Sequence, residues 1–180
     1  MERITPVNAD TAQGRARELL EAVKGKLGIV PNMTRAMAVS PAVLEGYLGL
    51  AGALGHGILP ARLREQLALN VGEANSCDYC VSAHSVLGKG AGLSEQDVCD
   101  ARRAASSDPE TEVLLRFART VVEKRGDIAD ADIAAVREAG YGDAEIAEVV
   151  AHVGLNIFTN YFNSVAGTVI DFPRAKALSA

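Results

Sequence analysis

Apolar side chains recur along the chain at the spacing of amphipathic α-helices. One series follows i, i+3, i+4 and i+7 in the third quarter of the chain, and another continues for three turns nearer the C-terminal end. No run of alternating residues is flanked by hairpin turns, which argues against a sheet. The pattern therefore predicts an all-α, compact helical bundle of seven to eight helices. The two series are Leu114, Phe117, Ala118 and Val121, followed by Ile146, Val149, Val150, Val153 and Ile157.

Residues that start and stop helices mark the ends of such segments. Prolines and short polar side chains occupy capping or first-turn positions, acids follow one of the caps, and paired glycines separate the last two segments. No internal repeat or low-complexity tract interrupts this order, so we interpret residues 1–180 as one domain. The helix starts are Ser40-Pro41, Pro60, Ser94 and Asp108-Pro109, and the glycine stop Gly140-Tyr141-Gly142 precedes a new start at Asp143.

Composition and charge argue against several fold and function classes. Aromatic residues make up 4% of the chain and Trp is absent, which favours closely packed helices over a β-sandwich. The formal charge of −5 gives no reason to expect nucleic-acid binding. No apolar run is long enough to cross a membrane, and the N-terminal residues lack the apolar core of a signal peptide. We therefore expect a cytoplasmic protein that binds neither nucleic acid nor membrane.

The cysteines carry the chemistry that the sequence makes most visible. Three cysteines do not form a disulfide framework, and a C-x-x-C pair in a reducing compartment indicates redox or metal chemistry. If a helix starts near Ser76, then Cys77, Cys80 and His84 fall on one face. Helical positions three apart lie ~5 Å apart at Cα, a distance that a disulfide can bridge. The pair can therefore cycle between dithiol and disulfide.

Two further groups bear on proton transfer at this pair. His84 follows Cys80 by one turn and can act on its sulfur as a base or as a stabilising cation. Glu65 reaches the same height as His84 if the preceding helix packs antiparallel, and a carboxylate there can orient the imidazole. Glu73 is nearer in sequence, and spacing alone does not choose between the two carboxylates.

Several other polar residues and the third cysteine lie outside this motif. Asn156, Asn160 and Asn163 share a helical face, which fits a solvated face, a subunit contact or the wall of a site. We expect His56 in a loop and His152 at a solvated or interfacial position. Cys99 stands alone and is interpreted as core packing.

Glu65, followed by Cys77-x-x-Cys80-x-x-x-His84, resembles the alkyl hydroperoxidase D (AhpD-like) family of the carboxymuconolactone decarboxylase superfamily. The similar region covers roughly residues 40–95, with the redox motif in residues 60–95, and 155–163 looks like the C-terminal helix of a peroxidase-related subgroup. The resemblance implies an all-helical subunit that assembles into homo-trimers or hexamers. It also implies that Cys80 attacks a hydroperoxide and that Cys77 then resolves the sulfenic acid as a disulfide.

The same resemblance assigns the supporting roles. Glu65 is the base of a proton relay to Cys80, assisted by His84, and Tyr79 stands where family members often have a relay histidine. Helix-dipole reasoning instead favours Cys77 as the thiol with the lower pKa, because it lies at the helix start. No bound cofactor or metal is expected. A dithiol donor, such as a lipoylated or thioredoxin-like partner protein, resets the disulfide.

Other functions remain open from the sequence. One alternative is an oxidoreductase or redox sensor whose cysteine pair exchanges disulfides with a protein partner without peroxide turnover, and another is a decarboxylase-like enzyme. A third is a zinc site, which needs four ligands and could be completed only by Cys99 or His56. The last is a pair of inert cysteines that serve only packing.

Overall fold

The computed structural model describes residues 1–178, and within them all regular structure is helical. This part of the chain contains nine helices, more than the seven to eight predicted, because short helices such as α2 lack a long apolar series. The all-α prediction is confirmed. The helices are α1 (Gly14–Leu27), α2 (Asn32–Met37), α3 (Pro41–Gly55), α4 (Ala61–Ala74), α5 (Asp78–Gly90), α6 (Glu95–Arg102), α7 (Pro109–Glu123), α8 (Asp130–Glu138) and α9 (Asp143–Ala166).

The predicted helix starts agree with the structure. Ser94 caps α6 through a capping box: its hydroxyl accepts from the N–H of Asp97 at 3.1 Å, and the Asp97 carboxylate accepts from the N–H of Ser94 at 2.8 Å. Asp108 caps α7 by accepting from the N–H of Thr111 at 3.1 Å. These helix boundaries are therefore set by local capping interactions and do not depend on tertiary contacts.

The apolar series meet the core with one exception. Leu114, Phe117, Ala118 and Val121 on α7 are all buried, as are Val149 and Val153 on α9. Val150 belongs to the same apolar series but is 46% exposed, because it lies about 100° around the helix from the buried Val149. No helix within residues 1–178 combines the length and the hydropathy needed to cross a bilayer.

Helix α4 lies at the centre and packs against α5, α6, α7 and α9. Its leucines belong to the main core, and Asn70 is buried among them with no exposed surface. The Asn70 amide donates to the Leu115 carbonyl at 2.6 Å and accepts from Arg119 Nε at 2.8 Å. A buried amide with both ends paired can join α4 to α7 without a desolvation penalty.

The turn between α4 and α5 folds the two helices against each other. Ser76 adopts a left-handed conformation (φ 52°), and Cys77 then caps α5. A methyl group at Gly72 would lie 3.3 Å from Cγ2 of Val81 and 3.6 Å from Cβ of Cys80. Glycine at this position therefore lets the start of α5 pack closely against α4.

The C-terminal strap, residues 168–178, runs back over the start of α5. Ile170 and Phe172 pack on the cluster formed by the two cysteines, Tyr79 and Ala83. Hydrogen bonds fix both halves of the strap: Asn32 Nδ2 donates to the Val169 carbonyl at 3.1 Å, the Ala175 N–H donates to Ser82 Oγ at 3.1 Å, and Arg102 Nη1 donates to the Lys176 carbonyl at 2.8 Å.

Candidate active site

The two cysteines of the C-x-x-C motif lie at the start of α5 as free thiols. Cys77 is the N-cap residue and Cys80 follows one turn later, with exposures of 6% and 3%. The backbone N–H of Cys80 donates to Cys77 Sγ at 3.3 Å. The local cap thus places the two sulfurs beside each other, as a dithiol–disulfide pair requires.

The electrostatics of the pair distinguish the two thiols. The S–H of Cys77 hydrogen-bonds to Cys80 and lowers the pKa of Cys80 to about 6 against the opposing effect of burial, with further help from His84, Asn163 and Asn160. The same bond raises the pKa of Cys77, as does its burial. Helix-dipole reasoning had favoured Cys77, and the hydrogen bonds to Cys80 outweigh the dipole. Of the two thiols, Cys80 therefore has the lower pKa.

His84 meets Glu65 across the α4–α5 contact. His84 Nδ1 lies 2.8 Å from Glu65 Oε2, and both side chains are partly buried. Burial lowers the pKa of His84, but the nearby charges of Glu65 and Cys80 raise it above its ordinary value. The predicted approach of Glu65 to His84 is confirmed. The competing carboxylate, Glu73, instead pairs with Arg102 at 2.8 Å.

Tyr79 is buried beside the cysteines, but its hydroxyl has other partners. It accepts from the backbone N–H of Met33 at 3.2 Å, and its ring packs edge-on against Phe172 with centroids 5.8 Å apart. Burial raises the pKa of Tyr79, and the carboxylate of Asp171 raises it further. The geometry gives Tyr79 a structural place between α2 and the strap.

The asparagine face of α9 forms a wall of the site. Asn163 Nδ2 donates to Cys80 Sγ at 3.3 Å, and the Asn160 carbonyl accepts from Asn75 Nδ2 at 2.9 Å. Asn156 is also buried and donates to the carbonyl of His152 at 2.8 Å. The solvated-face interpretation is therefore wrong, because these amides face sulfur and other buried polar groups rather than water.

The remaining histidines and Cys99 differ in part from expectation. His152 is 5% exposed, so its predicted solvated place is wrong; burial lowers its pKa, and its Nε2 has no hydrogen-bond partner among the described residues. His56 is an exposed C-cap residue of α3 and lies outside the site. Cys99 is half-buried and lies outside the core clusters, so its expected core packing is also wrong. His152 precedes Asn156 by one turn, and extending the asparagine series backwards would have found it.

Cys80 and His84 border an apolar cavity of about 410 Å³. Its walls come from α1, α2, α3, α4, α5 and α9, and His152 adds a polar group among mostly aliphatic and aromatic side chains. Cys77 does not border this space, although the sequence predicted one shared face. The reason is its cap conformation (φ −93°, ψ 87°), which departs from the helical geometry on which that prediction relied.

The described residues hold no group of three or more His, Cys, Asp and Glu side chains arranged for a metal ion. Neither Cys99 nor His56 comes to the cysteine pair. The third and fourth ligands that a zinc site would need are thus not supplied within residues 1–178.

Known proteins share this fold and part of this sequence. The model of the Carboxymuconolactone decarboxylase family matches residues 41–124. An uncharacterized peroxidase-related protein from Ralstonia eutropha JMP134, described as an alkylhydroperoxidase AhpD core, superposes with a TM-score of 0.85 at 23% identity, covering 94% of this chain and 92% of that chain. A peroxidase-related protein from Silicibacter sp. TM1040 gives 0.80 at 25% identity, with coverage of 93% and 92%.

A third structural neighbour is named for a different activity. A variant of the debrominase Bmp8 in complex with 2,3,4-tribromopyrrole superposes with a TM-score of 0.81 at 18% identity, covering 95% of this chain and 92% of that chain. No functionally curated protein matches the chain. The chain is thus similar to the carboxymuconolactone decarboxylase family over residues 41–124, and it shares its all-helical fold with proteins described as AhpD-like or peroxidase-related.

Proposed function

We propose that the protein is a cysteine-dependent peroxidase that reduces organic hydroperoxides through a Cys77–Cys80 dithiol–disulfide cycle. The observation that carries this proposal is the environment of Cys80. Its sulfur is stabilised as a thiolate by Cys77 and Asn163, and it lies at an apolar cavity that His84 also borders. A buried thiolate beside a proton donor is what attack on a peroxide oxygen needs.

The two cysteines and His84 account for the electrons and protons of the proposed reaction. The Cys80 thiolate attacks one peroxide oxygen, the O–O bond breaks, and the alcohol leaves with a proton from His84, whose raised pKa favours the protonated form. Cys80 is then a sulfenic acid. The Cys77 sulfur attacks it, forms the disulfide and releases water. Glu65 orients His84 and stabilises its charge throughout, through the 2.8 Å contact.

The cavity supports an organic substrate. It is bordered by apolar side chains from six helices, and such a surface is poorly matched to hydrogen peroxide alone. A hydroperoxide with an alkyl or aryl body can bury that body in the cavity while its O–O group reaches Cys80. We therefore expect a bulky organic hydroperoxide to react with a lower KM than hydrogen peroxide.

Disulfide exchange with a partner protein fits the site less well. Cys80 is 3% exposed and Cys77 is 6% exposed, so a folded partner does not reach either sulfur directly. A decarboxylase-like reaction does not need the cysteine pair. It would gain support if a Cys77→Ser/Cys80→Ser double variant kept lactone activity.

Reductive dehalogenation is a second candidate, favoured by the structural similarity to a debrominase and by the apolar cavity. Two thiols can supply the two electrons that convert a carbon–bromine bond to carbon–hydrogen, releasing bromide and leaving a disulfide. Bromide release from a brominated pyrrole, measured beside hydroperoxide turnover, separates the two candidates.

The proposal is tested by turnover of cumene hydroperoxide with dithiothreitol as reductant. We expect Cys80→Ser to abolish turnover, because no other described thiol borders the cavity. Cys99→Ser is the matched control and should retain activity, since Cys99 lies on α6 outside the site. Activity that persists in Cys80→Ser contradicts the proposal.

A further inference from the structure

Helix α5 separates two cavities, and each cysteine borders one of them. Cys80 borders the apolar cavity described above. Cys77 borders a second space of about 470 Å³, here called the strap cavity, which lies between the start of α5, Arg102 and the C-terminal strap. Two other residues of α5 also lie on opposite sides of the helix: Ser82 borders the strap cavity, and His84 borders the apolar cavity. The two sulfurs are thus approached from opposite sides.

The strap cavity has fixed, polar walls. Arg102 is buried, pairs with Glu73 at 2.8 Å and donates to the Lys176 carbonyl at 2.8 Å, so it ties α4, α6 and the strap together. Ser82 holds the strap a second time through its bond from the Ala175 N–H. These contacts hold open a space beside Cys77, and this space is separate from the apolar cavity.

We propose that the strap cavity is the entry site for the thiol reductant, and that the reductant attacks Cys77 rather than Cys80 in the oxidised protein. This inference rests on the dithiol–disulfide cycle of the proposed function and assigns its second half to a separate opening. Substrate and reductant then reach the pair without occupying the same space.

The attack at Cys77 agrees with the chemistry of thiol–disulfide exchange. A reductant thiolate forms a bond to Cys77 Sγ, the Cys77–Cys80 bond breaks, and the electron pair leaves on Cys80 as a thiolate. Exchange is faster when the departing thiol has the lower pKa, and His84 and Asn163, which lower the pKa of Cys80, stay beside its sulfur when Cys77 is bonded to the reductant. The second thiol of the reductant then displaces Cys77, which takes up a proton, and the reductant leaves as a disulfide.

The shape of the opening selects a narrow reductant. Cys77 is 6% exposed and lies beneath the strap, so the flat face of a folded thiol protein does not bring its sulfur into contact. A small dithiol, or a dithiol carried on a flexible arm, can extend into a space of about 470 Å³. The expected reductant is therefore a thin dithiol rather than a thioredoxin-like surface.

The first test fills the strap cavity and measures reduction alone. The disulfide is formed with diamide, a thiol oxidant, so that its formation does not depend on peroxide activity. Ala177 borders the cavity, is exposed and lies outside every helix, so Ala177→Trp adds bulk there without disturbing the core. We expect reduction by dithiothreitol, followed by quenching and mass spectrometry, to slow by about tenfold or more.

The control for added bulk is Ser107→Trp, an exposed position between α6 and α7 that borders neither cavity. Its reduction rate should stay within about twofold of that of the native chain. Equal rates for Ala177→Trp and Ser107→Trp would overturn the proposal.

The second test uses the native chain and so does not depend on a variant folding. The diamide-oxidised protein is treated with N-acetylcysteine and quenched with iodoacetamide, and fragment spectra locate each group. We expect the N-acetylcysteine disulfide on Cys77 and the iodoacetamide group on Cys80; the reverse placement overturns the proposal. Because diamide forms the disulfide, this labelling experiment does not depend on peroxidase activity. Absence of hydroperoxide turnover would therefore count against the proposed function, and the position of the N-acetylcysteine group would still test the entry site.

Discussion

Replacement of Asn163 by Ala tests the origin of the low pKa of Cys80. Asn163 is 4% exposed, and its Nδ2 donates to Cys80 Sγ at 3.3 Å. A hydrogen bond to a charged group contributes about 1.5–3 kcal/mol, and each pKa unit corresponds to about 1.4 kcal/mol. Removing the donor should therefore raise the pKa of Cys80 by about one to two units from its value of about 6.

The assay is the pH dependence of alkylation of Cys80 by iodoacetamide, followed by peptide mass spectrometry. The native rate should rise with pH through a midpoint near 6 and level off by about pH 7–8, because only the thiolate reacts. In Asn163→Ala the midpoint should move to about 7–8, so that alkylation at pH 7 falls by about twofold to tenfold.

The matched control is Asn156→Ala. Asn156 is equally buried on the same face of α9, but its amide donates to the His152 carbonyl and not to sulfur. Its alkylation midpoint should stay within about 0.3 units of that of the native protein. A native midpoint in Asn163→Ala, or equal shifts in both variants, would refute the assignment of Asn163 as a thiolate donor.

Three further predictions concern other parts of the structure. Glu65→Gln should lower kcat/KM for hydroperoxide by about 100-fold and move the alkaline limb of its pH profile to lower pH, because His84, the proton donor, loses the charge that raises its pKa; an unchanged profile would contradict this. Asn70→Leu should lower the free energy of unfolding in urea by about 2–4 kcal/mol, because Arg119 loses a buried partner, and a loss below about 1 kcal/mol would contradict it. Val165 is 65% exposed on α9, and we propose that a homo-trimer or hexamer covers this apolar face. Light scattering should show a smaller assembly for Val165→Glu, whereas a native monomer would contradict the proposal.

The sequence predicted features of the fold that depend on local chemistry. Capping at Ser94 and Asp108 uses atoms within three residues, so the helix starts could be found without tertiary information. The contact between Glu65 and His84 followed from helix rise and from the short turn after α4. Both inferences needed only regular geometry.

Features that depend on long-range packing escaped the sequence. His152 is buried because α9 packs against the cavity; it shares a face with the asparagine series, but the sequence left open whether that face turns inward or toward solvent. Cys77 points to the strap cavity because of its cap conformation and because residues about 90 positions later return to cover it. A face assigned from ideal helical angles fails at such an end, where the backbone is not helical.

The central claim is that a hydroperoxide oxidises Cys80 and that Cys77 resolves it. Its most direct test adds one equivalent of cumene hydroperoxide to the fully reduced protein and measures the intact mass and the products. The account predicts the loss of two hydrogens, a Cys77–Cys80 disulfide and one equivalent of cumyl alcohol. In Cys77→Ser it predicts a sulfenic acid at Cys80. An unchanged mass, or oxygen added at Cys99 while the pair stays reduced, would contradict it.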